Sequence, residues 1–362
     1  MKVLFDNQIF ILQNFGGISR YFYELMKALK GSVEYKLPLI VSNNTYLLQD
    51  KSQKRFSFSP NKEFRGKGFL IKNSNKLAFV YEAKIRKWDI IHPTYYDTSF
   101  MKYINQTPFV ITVHDMIHEK FFQHDKETIE NKKKCITQAD RIIAISENTK
   151  KDIIDIYNIA PEKIDVIYHG CSINPEVEQK IENLPQKYIL FAGSRDNYKN
   201  FSRFVKAMSC IIKKYQEYHV VCTGSPFSEK EKQLLLNCNL YKQTHLYFAK
   251  ENELTYLYKN ATAFAFTSEY EGFGIPILEA FTCGCPVALS KTSCFPEIAK
   301  DAGTYFDPLD AEDIEHSLLK LIEDADYRKK CITLGYQRAK NFSWSKTAQE
   351  TLMTYNKVLA KM

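Results

Sequence analysis

Residues 267–290 read TSEYEGFGIPILEAFTCGCPVALS. An apolar run ends at Thr267–Ser268, and a glycine turn, Gly272-Phe273-Gly274, follows it. Pro276 then stands where the first turn of a helix begins. The helix pattern runs through Ile277–Phe281 and stops near Gly284, a residue suited to a helix end. Glycine in such a turn lets a ligand come close to the backbone. A helix start reached from a strand presents unpaired N–H groups and the positive end of the helix dipole, a pairing that suits phosphate. Glu271 precedes this helix and Glu279 lies inside it, eight positions on. Repulsion between like charges keeps the two from serving one phosphate. They are better placed to accept hydrogen bonds from hydroxyls on either side of a diphosphate, such as those of a sugar and a ribose. A purely structural strand–turn–helix is the alternative.

Outward from this stretch, short β-rich runs alternate with helical patterns. In the first half the runs are Lys2–Phe5, Lys36–Val41, Asp89–Pro93, Phe109–Val113, Arg141–Ile145 and Ile164–Tyr168. In the second they are Tyr188–Ala192, His219–Thr223, His245–Phe248, Ala263–Thr267, Pro286–Leu289 and Thr304–Phe306. Continuous apolar runs of this kind fit parallel strands covered on both faces. Alternating βα units imply a doubly wound α/β sheet, and six runs per half imply two similar domains. The loop-like HGCSINPEVEQKIENLPQK, 169–187, separates them. The expected division is 1–180, 181–343 and a terminal helix, 344–362, packed back on the first domain.

Glu271 and Glu279 form an E-x7-E pair inside EGFGIPILEAFTCGCPV, and this segment resembles the motif of retaining glycosyltransferases of family GT4, which have the GT-B fold. Five further segments carry the resemblance. In FAGSRDNYKNFSRFVKA, 191–207, Arg195 and Lys199 follow a strand, a planar fork and a point charge suited to a diphosphate. In FGGISRYFYEL, 15–25, Gly16 and Gly17 precede an amphipathic helix; taken alone this is a helix-start turn. In VITVHDMIHEKF, 110–121, His114 sits at the carboxyl end of a strand, where open α/β sheets bind ligands; a core or surface histidine is the alternative. ADRIIAISENTKKDI, 139–153, and NFSWSKTAQ, 341–349, complete the likeness, and 31–88 carries least of it.

The resemblance implies two Rossmann-like domains facing across a cleft. The second would bind a nucleotide-diphosphate sugar and the first a glycan or lipid-linked glycan acceptor. Arg195 and Lys199 would hold the diphosphate, with Gly16 and Gly17 approaching from the first domain. Glu271 and the amides of Gly272, Phe273, Gly274 and Ile275 would hold the sugar, Glu279 the ribose, and His114 would contact the sugar near the anomeric carbon. The expected reaction is retaining hexosyl transfer in bacterial O-antigen or capsule polysaccharide assembly, with GDP-mannose as donor and a UDP-sugar as alternative. A nucleotide-sugar hydrolase or epimerase on the same fold stays open.

Composition bounds these readings. The chain has 362 residues, 44% hydrophobic and 25% charged, which excludes collagen-like, coiled-coil and disordered classes. It lacks a signal-peptide pattern and a long apolar run, so a cytoplasmic location is expected, with peripheral membrane contact as an extension. The cysteines, 9 in number, form no CxxC pair and read as free thiols. His114 and His118 lack the Glu of HExxH. The literal DxD, Asp324 to Asp326, falls in a helical stretch, and neither a P-loop nor a G-x-G-x-x-G fingerprint occurs; the resemblance to GT-B enzymes then implies neither cofactor nor catalytic metal. The net charge of +8 concentrates at 51–87, where Lys51, Lys54, Arg55, Lys62, Arg65, Lys67, Lys72, Lys76, Lys84, Arg86 and Lys87 face Glu63 and Glu82. Phe56, Phe58, Phe64 and Phe69 are interleaved. That mixture suits an anionic membrane surface or single-stranded nucleic acid, or simply a solvated face. Nucleic-acid binding leaves the paired glutamates unexplained and stays only as the alternative of another class.

Overall fold

The computed structural model describes residues 1–50, 56–57, 66–195 and 197–361, so that 51–55 and 58–65 of the basic segment lie outside the described residues. The chain forms two compact units, Met1–Gly170 with Trp344–Met362, and Cys171–Ser343. The break comes at Gly170 rather than at 180. The Tyr168 carbonyl is still tied to the first unit, accepting from Thr347 Oγ1 at 2.7 Å. Cys171 already packs in the second, where Thr282 Oγ1 lies 3.7 Å from its sulfur.

In the first unit, β1 (Lys2–Phe5), β2 (Glu34–Lys36) and β3 (Ile90–His92) pair in the parallel order β2-β1-β3. Strands β4 (Val110–Val113), β5 (Arg141–Ala144) and β6 (Ile164–Val166) form a second parallel set, β4-β5-β6. A parallel bridge between Ile91 and Phe109 joins the two sets. The apolar run at 36–41 departs from expectation. The strand ends at Lys36, because Pro38 has no N–H to give a ladder. Leu37, Leu39 and Val41 are nonetheless buried.

The second unit holds one six-stranded parallel sheet. Its strands are β7 (Lys187–Phe191), β8 (Tyr218–Thr223), β9 (Thr244–Tyr247), β10 (Ala263–Phe266), β11 (Val287–Ser290) and β12 (Gly303–Phe306). The order is β9-β8-β7-β10-β11-β12. Strand order therefore reverses between β7 and β10, the doubly wound arrangement in which ligands bind outside the carboxyl ends of the strands at the reversal.

The helix Trp344–Leu359 is an integral part of the first unit. Ala348, Tyr355 and Val358 are buried with Val3, Phe5, Tyr21, Phe22 and Leu25. Its polar anchors are specific. Tyr355 OH meets His92 Nδ1 at 2.6 Å, and His92 Nε2 meets Thr112 Oγ1 at 2.9 Å. On the outer side, Thr354 Oγ1 and Lys357 Nζ donate to Asp165 at 2.9 and 2.7 Å, and Arg141 grips the same carboxylate with two nitrogens.

Two predictions follow from this packing. Tyr355→Phe leaves His92 Nδ1 buried without its partner and costs about 1–3 kcal/mol in urea unfolding of the first unit. Tyr355→Ala costs more, about 3–5 kcal/mol, by adding a cavity. Equal stability of all three proteins would contradict the packing described. The second concerns pH. Burial pushes the His92 and His114 imidazoles down to about 3. In the unfolded chain they protonate below about 6.5. Stability from both is thus complete above that pH and is lost as pH falls toward 3. Asp6 acts oppositely: burial raises it to about 6, so its contribution is present at low pH and lost as pH rises through that value. Burial pushes the His169 imidazole down as well, so three imidazoles outweigh one carboxyl and the first unit weakens between pH 6.5 and 5. His92→Gln flattens that loss by about 1.4 kcal/mol per pH unit, read from urea midpoints at each pH.

Candidate functional site

Neighbouring β7 and β10 deliver their following loops to the same place. The loop after β7 carries Arg195 and Lys199; the loop after β10 carries Glu271 and the glycine turn. Backbone bonds stitch them together: Glu269 N donates to the Tyr198 carbonyl at 2.7 Å, and Thr267 Oγ1 to the Lys199 carbonyl at 2.9 Å. Lys199 Nζ and Glu271 Oε1 are then 2.5 Å apart, with side chains 17% and 13% exposed. Burial, the largest single effect, would draw the Lys199 ammonium toward neutrality, but the Glu271 carboxylate and the Tyr198 hydroxyl together outweigh it and the pKa is raised. The Tyr198 ring, 5.0 Å from the ammonium, adds a cation–π contact.

The helix Ile275–Thr282 begins directly after this pair, with Gly274 as its N-cap in the left-handed region at φ 88°. A Cβ there would come within 2.9 Å of Ile277 Cδ1 and 3.3 Å of Phe295 Cε1, so the turn excludes a side chain on two counts. Glu279 lies one turn into the helix, 6% exposed, with Tyr258 OH 3.4 Å from its carboxylate. Ser293, which sequence reasoning missed, clamps the backbone of Glu271. Its hydroxyl donates to the Glu271 carbonyl at 2.6 Å and lies 3.2 Å from the Glu271 amide as acceptor. It comes from the loop after β11, and no local motif marks it.

Arg195 is placed differently from Lys199. Its Nε contacts Glu231 Oε1 at 2.6 Å, and its other nitrogens donate to the carbonyls of Thr223, Ser225 and Pro226. The guanidinium lies over Phe227 at 4.7 Å. Arg195 thus ties the loop after β7 to the loop after β8. Gly224 makes that approach possible: at φ 111°, a Cβ would stand 2.7 Å from the Gly193 carbonyl oxygen. Glu231 is legible as part of a capping box with Ser228, but its pairing with Arg195 is not.

In the first unit, His114 follows β4 as expected. It is 6% exposed, and its ring packs edge-on to Tyr21 at 5.0 Å. Its Nε2 is buried without a hydrogen-bond partner among the described residues. The nearby Lys132, fully buried, sits 2.9 Å from Glu119 and 3.8 Å from Asp115, and so braces the loop that carries His114. Gly16 caps the helix Gly17–Leu29. A Cβ on Gly16 would fall 2.4 Å from Gln13 Oε1, which accepts from the Ser19 amide; Gly17 faces open space. A hollow of about 160 Å³ opens beyond the carboxyl end of β1, lined by Asn7, Gln8, Ile11, Lys72, Phe79 and Tyr103 among others. Among the described residues, no helix is long and apolar enough to cross a membrane, and no group of three or more His, Cys, Asp or Glu is arranged to hold a metal ion.

Comparison with known proteins accords with this geometry. Residues 173–338 match the glycosyl transferases group 1 family, and residues 15–174 match glycosyltransferase family 4. The chain is 26% identical to O-antigen chain mannosyltransferase B of Escherichia coli, over 98% of this chain and 99% of that one. It is 30% identical to O-antigen chain mannosyltransferase RfbU of Salmonella typhimurium, over 60% and 61% of the two chains. Anabaena HepE, solved with UDP and glucose, shares the fold at a TM-score of 0.76, with 18% identity over 98% of this chain and 99% of that one. Sucrose-phosphate synthase from Thermosynechococcus elongatus gives 0.75, with 18% identity over 100% of each chain. The E-x7-E helix, the reversed strand order and these matches together place the chain among the family 4 glycosyltransferases of the GT-B fold.

Proposed function

We propose that this glycosyltransferase moves mannose from GDP-mannose to a glycan or lipid-linked glycan acceptor in O-antigen or capsule assembly, with retention of anomeric configuration and without a divalent metal. The observation that carries the donor site is the Lys199–Glu271 pair at the β7/β10 reversal, in front of the Ile275–Thr282 helix start. A bound diphosphate would take Lys199 as its counter-ion and free Glu271 to accept from a sugar hydroxyl. Arg195 would exchange a carbonyl partner for a phosphate oxygen, a stronger charge-assisted bond. The amides of Gly272–Ile275 would face the sugar, and Glu279 the ribose. His114, kept neutral by burial, would offer Nε2 to a sugar hydroxyl, and Gly16 and Gly17 would keep the first unit's backbone open to the donor.

The charge that builds on the leaving diphosphate would be met by Lys199, Arg195 and the helix dipole. No side chain is placed as a double-displacement nucleophile in this reading. The acceptor hydroxyl attacks the anomeric carbon from the face that the diphosphate leaves, and its proton passes to the departing oxygen. The acceptor's seat is assigned to the hollow beside β1, whose apolar floor and two lysines, Lys72 and Lys76, suit a sugar carried on a phosphate-bearing lipid. The mannose assignment draws on the two O-antigen mannosyltransferases. A UDP-sugar donor is the second reading, favoured by the shared fold with HepE, solved with UDP.

Two measurements test this. Thermal unfolding with GDP, UDP, dTDP, CMP and ADP, each with and without Mg²⁺, should show a rise with GDP that Mg²⁺ does not change. A rise with UDP alone would select the second donor, and none with any nucleotide in folded protein would remove the donor site. Separately, Arg195→Ala, Lys199→Ala and Glu271→Ala should each lower turnover at least about 10²-fold without unfolding the protein. Near-normal rates in all three would sink the assignment.

A further inference from the structure

Phe15 stands just before the helix Gly17–Leu29 and is 71% exposed, yet its ring is held in place. It stacks on Tyr46, with centroids 5.4 Å apart and planes 30° from parallel. Tyr46, itself buried, stacks in turn on Tyr23 at 6.0 Å and 22°. The backbone on either side of Phe15 is pinned. The Gln13 carbonyl accepts from Asn44 Nδ2 at 2.7 Å, and the Asn14 carbonyl from the Thr45 amide and hydroxyl at 2.9 and 2.7 Å. The Gly16 carbonyl accepts from the Arg20 amide at 3.0 Å and from the Ser19 hydroxyl at 3.1 Å. Burying a phenylalanine stabilises a fold, and this one gives most of that up while being held still. A rigid exposed ring is a preorganised contact, with little freedom left to lose when something binds.

The segments that build this corner carry no charge. Residues 7–19 and 37–49 contain no Lys, Arg, Asp or Glu, but seven Asn or Gln. Of these, Asn14 and Gln49 are exposed, and Gly17 beside them faces open space. We propose that the outer face of Phe15 is a sugar platform, on which a pyranose ring of the acceptor glycan lies flat. A pyranose has a face of C–H groups bordered by hydroxyls. The C–H groups, slightly positive, meet the negative face of the aromatic ring. The hydroxyls find amide donors and acceptors at its edge. An anionic lipid or a nucleic acid would find no cation in either segment. Leu12, just before this loop, lines the hollow beside β1. The proposal therefore rests on the acceptor reading above and divides it: the hollow takes the carrier, and Phe15 the sugar.

The test is saturation-transfer-difference NMR on the full chain, with and without GDP. The probes are the methyl α-glycosides of mannose, glucose, galactose and N-acetylglucosamine. Saturation should pass to the ring C–H protons of at least one probe. Phe15→Ala should lower that transfer at least about fivefold at an unchanged melting temperature. Phe15→Trp, which keeps a flat ring, should retain it. No transfer from the wild-type protein to any probe overturns the proposal, as does transfer that Phe15→Ala leaves unchanged. Equal loss in both variants overturns stacking as the cause. Self-association abolished by Phe15→Ala, with no sugar transfer, overturns it in favour of a second copy. The rise in melting temperature with nucleotide reads the donor site separately. Its absence in a protein whose sugar transfer depends on Phe15 removes the donor assignment and leaves the platform standing.

Discussion

Ile189 lies beside Ala263, and Leu190 beside Phe264, in a parallel ladder between strands far apart in the chain. Parallel strands all end at the same edge of their sheet, so whatever follows β7 must meet whatever follows β10. That pairing brings Lys199 to Glu271 across 72 positions of sequence. It also aims the Ile275–Thr282 helix start at the same ground. If β7 paired elsewhere in the sheet, the same residues would be scattered surface charges. The remaining details, Ser293 on the Glu271 backbone and Gly224 under Arg195, refine a meeting that strand order has already arranged.

The electrostatics of this site are self-contained before any ligand arrives. Lys199 has Glu271, Arg195 has Glu231, and Arg203 has Glu269 at 3.0 Å. A cation left unpaired at this depth would lose much of its charge to desolvation. Pairing keeps Lys199 ionised while leaving its partner exchangeable. In the donor site proposed above, an arriving diphosphate would compete with a carboxylate for the ammonium rather than meet a bare charge, which would lower the gain in affinity and favour ligands of greater charge.

Much of this was legible in the sequence, and the boundary of legibility has a physical cause. The strand–glycine–helix stretch at 267–290 and the Arg195–Lys199 loop are local patterns, and local propensity decides them. The position of His114 after a strand was likewise readable. Ser293 and Glu231 were not tied to the site, because their partners are chosen by tertiary packing of loops after different strands. The run at 36–41 looked like a strand since its apolar residues are truly buried, but Pro38 denies it the ladder. The Lys67–Ile85 helix resisted reading for the opposite reason: its buried face is centred on a polar residue, Asn75, and its apolar Leu70, Leu77, Tyr81 and Ile85 face outward, so periodicity alone assigns the faces the wrong way round.

The helix Trp344–Leu359 completes the first unit although the whole second unit separates the two in the chain. A ribosome delivers residues in order, and domains generally fold as they emerge. The first unit's strands are made early, yet the Tyr355 hydroxyl that satisfies His92, and the apolar side chains that close over Phe5 and Tyr21, come only after residue 343. Cys171–Ser343 can close on itself as soon as it clears the tunnel. The part made first is therefore finished last, and its uncovered helix-binding groove is the surface that a chaperone would meet during synthesis.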